Sequence, residues 1–312
     1  MPAPPILVAD VGGTNSRLAL ASGGAVLADT MLRQPNSRFD GPAALIADYL
    51  AGQGAPRLGG VCAAVAGAVT DGTAFMTNLD WKISEDGLAR ACGGARALLL
   101  NDLQAQAHAL DSLPPGGLRT VVAGAPGPGP RMVIGMGTGF NAAVVHDGPA
   151  GRLVTASEAG HATLPALDPQ VAALAAHLVA RGLPPEIEEA LSGRGLSQID
   201  GFLGHGARTA REVIAAAERE AGAAAALGLF VRLLGGVAGD LALVHLPWGG
   251  VYLAGGMARA VAHRLGPDGF AEAFRTKGRL SPLMDRFAVR LIEDDFAALT
   301  GCAAYMQRGG AG

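Results

Sequence analysis

The sequence predicts an α/β protein of two domains, and three observations carry this reading. Strand-length apolar runs alternate with helical patterns through the first third of the chain. A design of strand, glycine-threonine turn, strand occurs twice, about 125 residues apart. The length of 312 residues also corresponds to about two domains of ~150 each.

The elements follow in order. Apolar runs at 6–10, 16–21 and about 25–32 read as a strand meander. A helix is expected over 41–52, where Asp40 can cap and Pro42 fits the first turn. Residues 61–69 have strand length, 85–92 are helical, and Ala97-Leu98-Leu99-Leu100 is a buried strand ending at Asn101-Asp102, before a helical pattern at 103–110. A strand at 119–123 precedes Gly124-Ala125-Pro126-Gly127-Pro128-Gly129-Pro130, where no helix or ladder survives. The second strand–turn–strand copy spans 132–145. The middle is helical at about 168–181, 185–191, 196–203 and 208–220, then over a long apolar helix at 221–245 that fits either a core or a dimer surface. Residues 249–257 form a strand running into a glycine turn, and 296–308 form a closing helix.

Composition narrows the function. Half of the residues are hydrophobic, 16% are charged, and the net charge is −3 without a Lys/Arg-rich run, which argues against a nucleic-acid partner. The three cysteines are scattered, so neither a disulfide framework nor a Cys-x-x-Cys zinc pair is expected. The opening residues lack a secretory pattern, and Arg232 and Asp240 interrupt the longest apolar stretch. A soluble, cytoplasmic protein with no membrane partner is the expectation.

The first turn carries the strongest chemical signal. Asp10-Val11-Gly12-Gly13-Thr14-Asn15-Ser16-Arg17 places backbone N–H groups, a hydroxyl and a carboxylate at one strand tip. Such a nest suits phosphate oxygens, and the carboxylate suits a hydrated Mg²⁺ ion. Gly-Gly is equally a common hairpin turn. The second copy, Gly137-Thr138-Gly139, suggests two half-sites clamping one nucleotide. Asp102, at the end of a strand, should stand at the sheet's carboxyl edge, where α/β proteins bind ligands; a helix N-cap is the alternative.

Together these segments resemble the bacterial glucokinases of the hexokinase/actin-like ATPase superfamily. The resemblance covers nearly the whole chain through 10–17, Met76-Thr77-Asn78-Leu79-Asp80-Trp81, Asn101-Asp102 and 137–139. It continues through Glu158-Ala159-Gly160-His161, Leu191-Ser192-Gly193-Arg194-Gly195-Leu196, 250–257 and Lys277-Gly278-Arg279. The zinc-binding cysteine cluster of the related repressor/kinase branch is absent from the sequence. The resemblance implies two ribonuclease-H-like (actin-like ATPase) domains around an interdomain cleft. The small one would span 1–110, completed by helix 297–312, and the large one 111–296 with a helical insertion. It also implies ATP, Mg²⁺, a hexose substrate and a homodimer.

Residue roles follow from the same resemblance. Asp102 would be the general base for the sugar's 6-hydroxyl, with Asn78, Asn101, Glu158, His161 and Glu188 binding sugar. Glu188 is preferred over Glu189 by its spacing to Ser192, one of the two carboxylates being expected on a solvated helix face; a core histidine is the alternative for His161. Asp10 would hold Mg²⁺ through water. Gly12, Gly13, Thr14 and Asn15, with Gly137, Thr138 and Gly139, would hold phosphates, and Gly255 and Gly256 would lie under adenine. Three positions depart from the family pattern. Phe140-Asn141 stands where Leu-Gly is usual, Ala159 where glycine is frequent and Thr163 where aspartate is common. A side chain at Asn141 is expected to bear on the phosphate region. Another hexose, or a non-catalytic sugar sensor, remains the rival reading.

Overall fold

The computed structural model describes residues 3–76, 79–114, 116–206 and 208–309. The chain divides into two compact units: Met1–Pro114 with Gly148–Val154 and Asp294–Gly312, and Pro115–Asp147 with Thr155–Glu293.

Unit 1 begins with β1 (Ile6–Val11) and β2 (Asn15–Ser22). The expected third strand at 25–32 is broken into β3 (Ala25–Val26) and β4 (Leu32–Pro35) by a 3₁₀ turn at Ala28–Thr30. The Thr30 hydroxyl causes the break: it donates to Leu27 O at 2.7 Å and accepts from Leu20 N at 2.9 Å, bonds that a continuous ladder would need. Next come α1 (Pro42–Gly52), β5 (Gly60–Val65), a small sheet of β6 (Val69–Thr70), β7 (Thr73–Phe75) and β8 (Lys82–Ser84), α2 (Glu85–Ala91), β9 (Arg96–Asn101) and α3 (Asp102–Ala109). The N-cap of α1 is Gly41 with no side-chain bond, so Asp40 does not cap it. The main sheet runs β3-β2-β1-β5-β9, with β4 on β2.

β1 pairs antiparallel with β2 and parallel with β5, which pairs parallel with β9. Alternate residues of β1 and β5 serve opposite faces. Leu7, Ala9, Val61 and Ala63 pack with Leu45, Tyr49 and Leu88 of α1 and α2. Val8, Cys62 and Ala64 pack with Ala105 of α3 and with Leu299 and Cys302 of α12 (Ala297–Gln307). A parallel strand covered on both faces has no polar positions, which explains the fully buried run of β5.

The second sheet repeats the plan. Its strands are β10 (Leu118–Val122), β11 (Arg131–Met136), β12 (Phe140–Gly148), β13 (Gly151–Ala156), β14 (Val251–Ala254) and β15 (Val289–Ile292), ordered β10-β15-β14-β11-β12-β13. β11 pairs antiparallel with β12 and parallel with β14, as β1 does with β2 and β5. The inserted helices are α4 (Pro169–Ala180), α5 (Ile187–Ala190), α6 (Gly193–Phe202), α7 (Ala210–Ala216) and α8 (Ala221–His245), followed by α9 (Gly256–Ala260), α10 (Phe270–Arg275) and α11 (Ser281–Met284). Helix α8 is long and apolar enough to cross a membrane, but it is mostly buried inside the fold. Gly235 and Gly239 on it let α10 approach closely, because a Cβ at either would strike the carbonyl of Phe270 or Phe274. It is a core helix, which settles the alternative that its sequence leaves open.

Candidate active site

In unit 1, two carboxylates share one sheet edge. Asp10 and Leu100 are both in register with Ala64, so Asp10 on β1 and Asp102 just past β9 lie at the same carboxyl edge of the sheet, on the two strands that flank β5. Asn101, not Asp102, caps the following helix. Its Oδ1 accepts from Leu103 N at 2.9 Å, Gln104 Oε1 accepts from Asn101 N at 3.2 Å, and its Nδ2 donates to Gly67 O at 2.9 Å. The cap alternative thus moves back one residue. Asp102 becomes the first helical residue, its Oδ1 accepting only the short-range bond from Leu103 N at 2.8 Å.

Burial, and secondarily the negative charge of Asp10, pushes the Asp102 carboxyl up to about 7, against backbone bonds that lower it. Asp102 keeps some exposed surface, and desolvation is the main cause of its upward shift. Asp10 itself faces Arg17 across the β1–β2 ladder, 2.9 Å from Nη1, and both side chains are largely covered.

The turn beyond Asp10 is closed by Gly12 N donating to Asn15 O at 3.1 Å. Asn36, which motif reading passed over, braces it from outside. Its Nδ2 donates to Gly12 O at 2.7 Å, its N–H donates to Thr14 O at 2.9 Å, and its Oδ1 accepts the Ser16 hydroxyl at 2.7 Å. Among the described residues the amides of Gly13 and Thr14 make no hydrogen bond, and Thr14 is exposed at the tip. Such amides suit phosphate oxygens. No group of three or more potential ligands for a metal occurs among the described residues; the donor set here is the Asp10 carboxylate beside the uncommitted turn amides, which suits a hydrated Mg²⁺ bound together with phosphate oxygens. Asn78 lies outside the described residues.

In unit 2, the predicted sugar residues gather around Phe140-Asn141. Phe140 N donates to Glu188 Oε2 at 2.9 Å. Asn141 Nδ2 donates to Glu158 Oε2 at 3.2 Å. Gly160 lies so close to the Phe140 carbonyl that a Cβ would overlap it, and a Cβ on Gly139 would stand 2.6 Å from Glu188 Oε2. The turn mirrors that of unit 1: Gly137 N donates to Gly139 O at 2.9 Å, while the amides of Thr138 and Gly139 make no hydrogen bond among the described residues.

Several expectations change here. The Asn141 side chain turns to the 157–159 segment and not to the phosphate turn. His161 is no core histidine: its side chain is 59% exposed, and its Nδ1 lies 2.8 Å from Glu186 Oε2. The Glu186 hydrogen bond first, then the charges of Glu186, Glu188 and Glu158, raise its pKa despite some desolvation. Glu186 is a partner that sequence spacing gave no means to find. Neither Glu188 nor Glu189 sits on a solvated face. Glu189 is buried against Arg194 at 2.6 Å and Gln198 at 2.9 Å, whereas Glu188 is half-buried, accepts from Phe140 N and lies 3.6 Å from Arg194. Gly255 has φ +97° and abuts the Met136 carbonyl, so the fold itself demands glycine there, whereas Gly256 faces open space.

Comparison with known proteins follows from this geometry. A family model described as Glucokinase matches residues 7–309. A glucokinase of Caulobacter vibrioides is 36% identical over 95% of this chain and 93% of its own. The crystal structure of a glucokinase from an Antarctic psychrotroph superposes with a TM-score of 0.86 at 29% identity, covering 98% of this chain and 99% of that one. The fold is shared with a ROK family glucokinase from Streptomyces griseus, solved with glucose and AMPPNP, at a TM-score of 0.68, 19% identity and coverage of 98% and 100%.

Proposed function

This chain belongs to the glucokinase family, an ATP-dependent sugar kinase acting on glucose, and we propose that Asp102 is its general base. The observation that carries the assignment is a half-buried carboxyl at the sheet's carboxyl edge, level with Asp10, where desolvation and the Asp10 charge push it up to about 7. A base with that pKa accepts the 6-hydroxyl proton efficiently at neutral pH. Glu158, His161 and Glu188 hold sugar hydroxyls through charge-assisted hydrogen bonds, and Asn101 supports Asp102 by fixing the start of α3. The uncommitted amides of Gly13, Thr14, Thr138 and Gly139 hold phosphate oxygens, with Gly255 and Gly256 beside the base of the nucleotide. Mg²⁺, held through water by Asp10, supplies charge neutralisation on the transferred group; the remaining acceleration is positioning by the protein. We place the enzyme in the cytoplasm as a homodimer, which sedimentation at micromolar concentration tests.

The experiment is ATP consumption across a panel of hexoses with Mg²⁺, in parallel with Asp102→Asn. The expected outcome is turnover with glucose that falls by ~10²-fold or more in the variant. Turnover confined to another hexose keeps the base and moves the substrate. Sugar binding without turnover on any hexose overturns the kinase reading.

A further inference from the structure

We infer that Asn141 is a positioning residue for the sugar site, holding Glu158 and the segment that carries it in place; this rests on reading Glu158 as a sugar-binding carboxylate. Asn141 stands on β12 with its carboxamide between two elements. Its Oδ1 takes three donors: Ala142 N at 2.8 Å, Ala159 N at 2.9 Å and the Ser157 hydroxyl at 3.1 Å. Its Nδ2 faces Glu158 Oε2 at 3.2 Å. The Ser157 hydroxyl also donates to Ala142 O at 2.8 Å, so residues 157–159 are stitched to β12 just after β13 ends.

The chemistry of this arrangement needs an amide. Two backbone N–H donors converge on the oxygen while a carboxylate faces the nitrogen, so the flipped amide would set donors against donors. A glycine here could make none of these bonds. An aspartate could keep all three accepted bonds but would oppose Glu158 with like charge. Phe140 N holds Glu188 and the Phe140 carbonyl meets Gly160, so one dipeptide anchors both carboxylates of the sugar set. As a positioning residue, Asn141 acts through Glu158.

The test is a cycle of glucose saturation kinetics on Asn141→Asp, Glu158→Gln and the pair together, with KM for ATP and Tm measured alongside. Asn141→Asp keeps the stitches, so its Tm should stay within a few degrees. Its KM for glucose should rise about 10-fold, the scale of one charge-assisted hydrogen bond, with KM for ATP unchanged within about twofold. Glu158→Gln should raise KM for glucose by a similar factor. In the pair, the new amide can donate back to the new carboxylate, so KM should rise by clearly less than the product of the single effects. Single effects that multiply, or a normal glucose KM in Asn141→Asp beside a raised one in Glu158→Gln, overturn the positioning role. A normal glucose KM in Glu158→Gln overturns instead the sugar-site reading beneath it.

Discussion

The two glycine-threonine turns share a backbone frame and differ at the second register pair behind the tip. In unit 1 that pair is Asp10 opposite Arg17, and in unit 2 it is Gly135 opposite Asn141. The charged pair closes on itself across the ladder at 2.9 Å, leaving a covered carboxylate under the turn and a second one, Asp102, two strands away at the same sheet edge. With glycine opposite, Asn141 has no cross-strand side chain to meet, and its carboxamide reaches to 157–159 instead. Each copy leaves uncommitted amides at its tip, closed by Gly12 N to Asn15 O in one and Gly137 N to Gly139 O in the other. Under the proposed function, the register pair behind each tip divides charge handling from recognition.

The hardest test of that division is Asp102→Asn. Beyond its loss of ~10²-fold or more in kcat, the variant should be more stable than the parent above pH 7. The unfolded carboxyl ionises near 3.8 and the folded one near 7. Between those values the folded state holds the extra proton, so stability falls as pH rises, and the penalty is complete above about 7. Removing the charge should return on the order of 2 kcal/mol there, the full shift being discounted for the surface Asp102 keeps. Equal thermal melts at pH 8 would mean that burial does not set this pKa.

The same shift predicts that kcat/KM falls close to tenfold for each pH unit below about 7, and that the slope vanishes above it. A profile flat from pH 5 would remove Asp102 as the titrating base.

Introducing one methyl group into each turn compares the copies directly. Gly139→Ala drives a Cβ to 2.6 Å from Glu188 Oε2 and should raise KM for glucose about 10-fold, a cost near 1.4 kcal/mol. Gly12→Ala meets only Asn15 O at 3.1 Å, so it should raise KM for ATP by a smaller factor and leave glucose alone. If both act on the same substrate, the division of labour fails. The smallest effect is expected from Asn36→Ala, which removes the brace on the first turn. It should cost about 1–2 kcal/mol of stability, read as a lower midpoint in urea, with a few-fold rise in KM for ATP.

The duplicated frame was legible because its signals are local: Gly12-Gly13-Thr14 and Gly137-Thr138-Gly139 specify turns whatever surrounds them. Asp102 was legible for a similar reason, as the polar end of an apolar strand. Asn36 and Glu186 were not, because each acts on a residue 24 or 25 positions away and nothing in spacing marks such a pair. Asn141 stood out as a departure, but the direction of its side chain depends on where β13 delivers Ser157. The strand expected at 25–32 failed because its apolar pattern could not register the bonding of the Thr30 hydroxyl. The short elements between 256 and 292 carry too few turns to show a period.

Helix α12 has a consequence for synthesis. Its Leu299, Cys302 and Ala303 close one face of the sheet that bears Asp10, and Gly301 lies so tightly on α3 that a methyl group there would overlap the carbonyl of Ala105. Residues 1–109 leave the ribosome long before 297–307, so the part of that apolar face which α3 does not cover waits open while unit 2 is still being made. The unit that carries Asp102 is therefore completed only after unit 2 has been made, and a growing chain can fold unit 2 first.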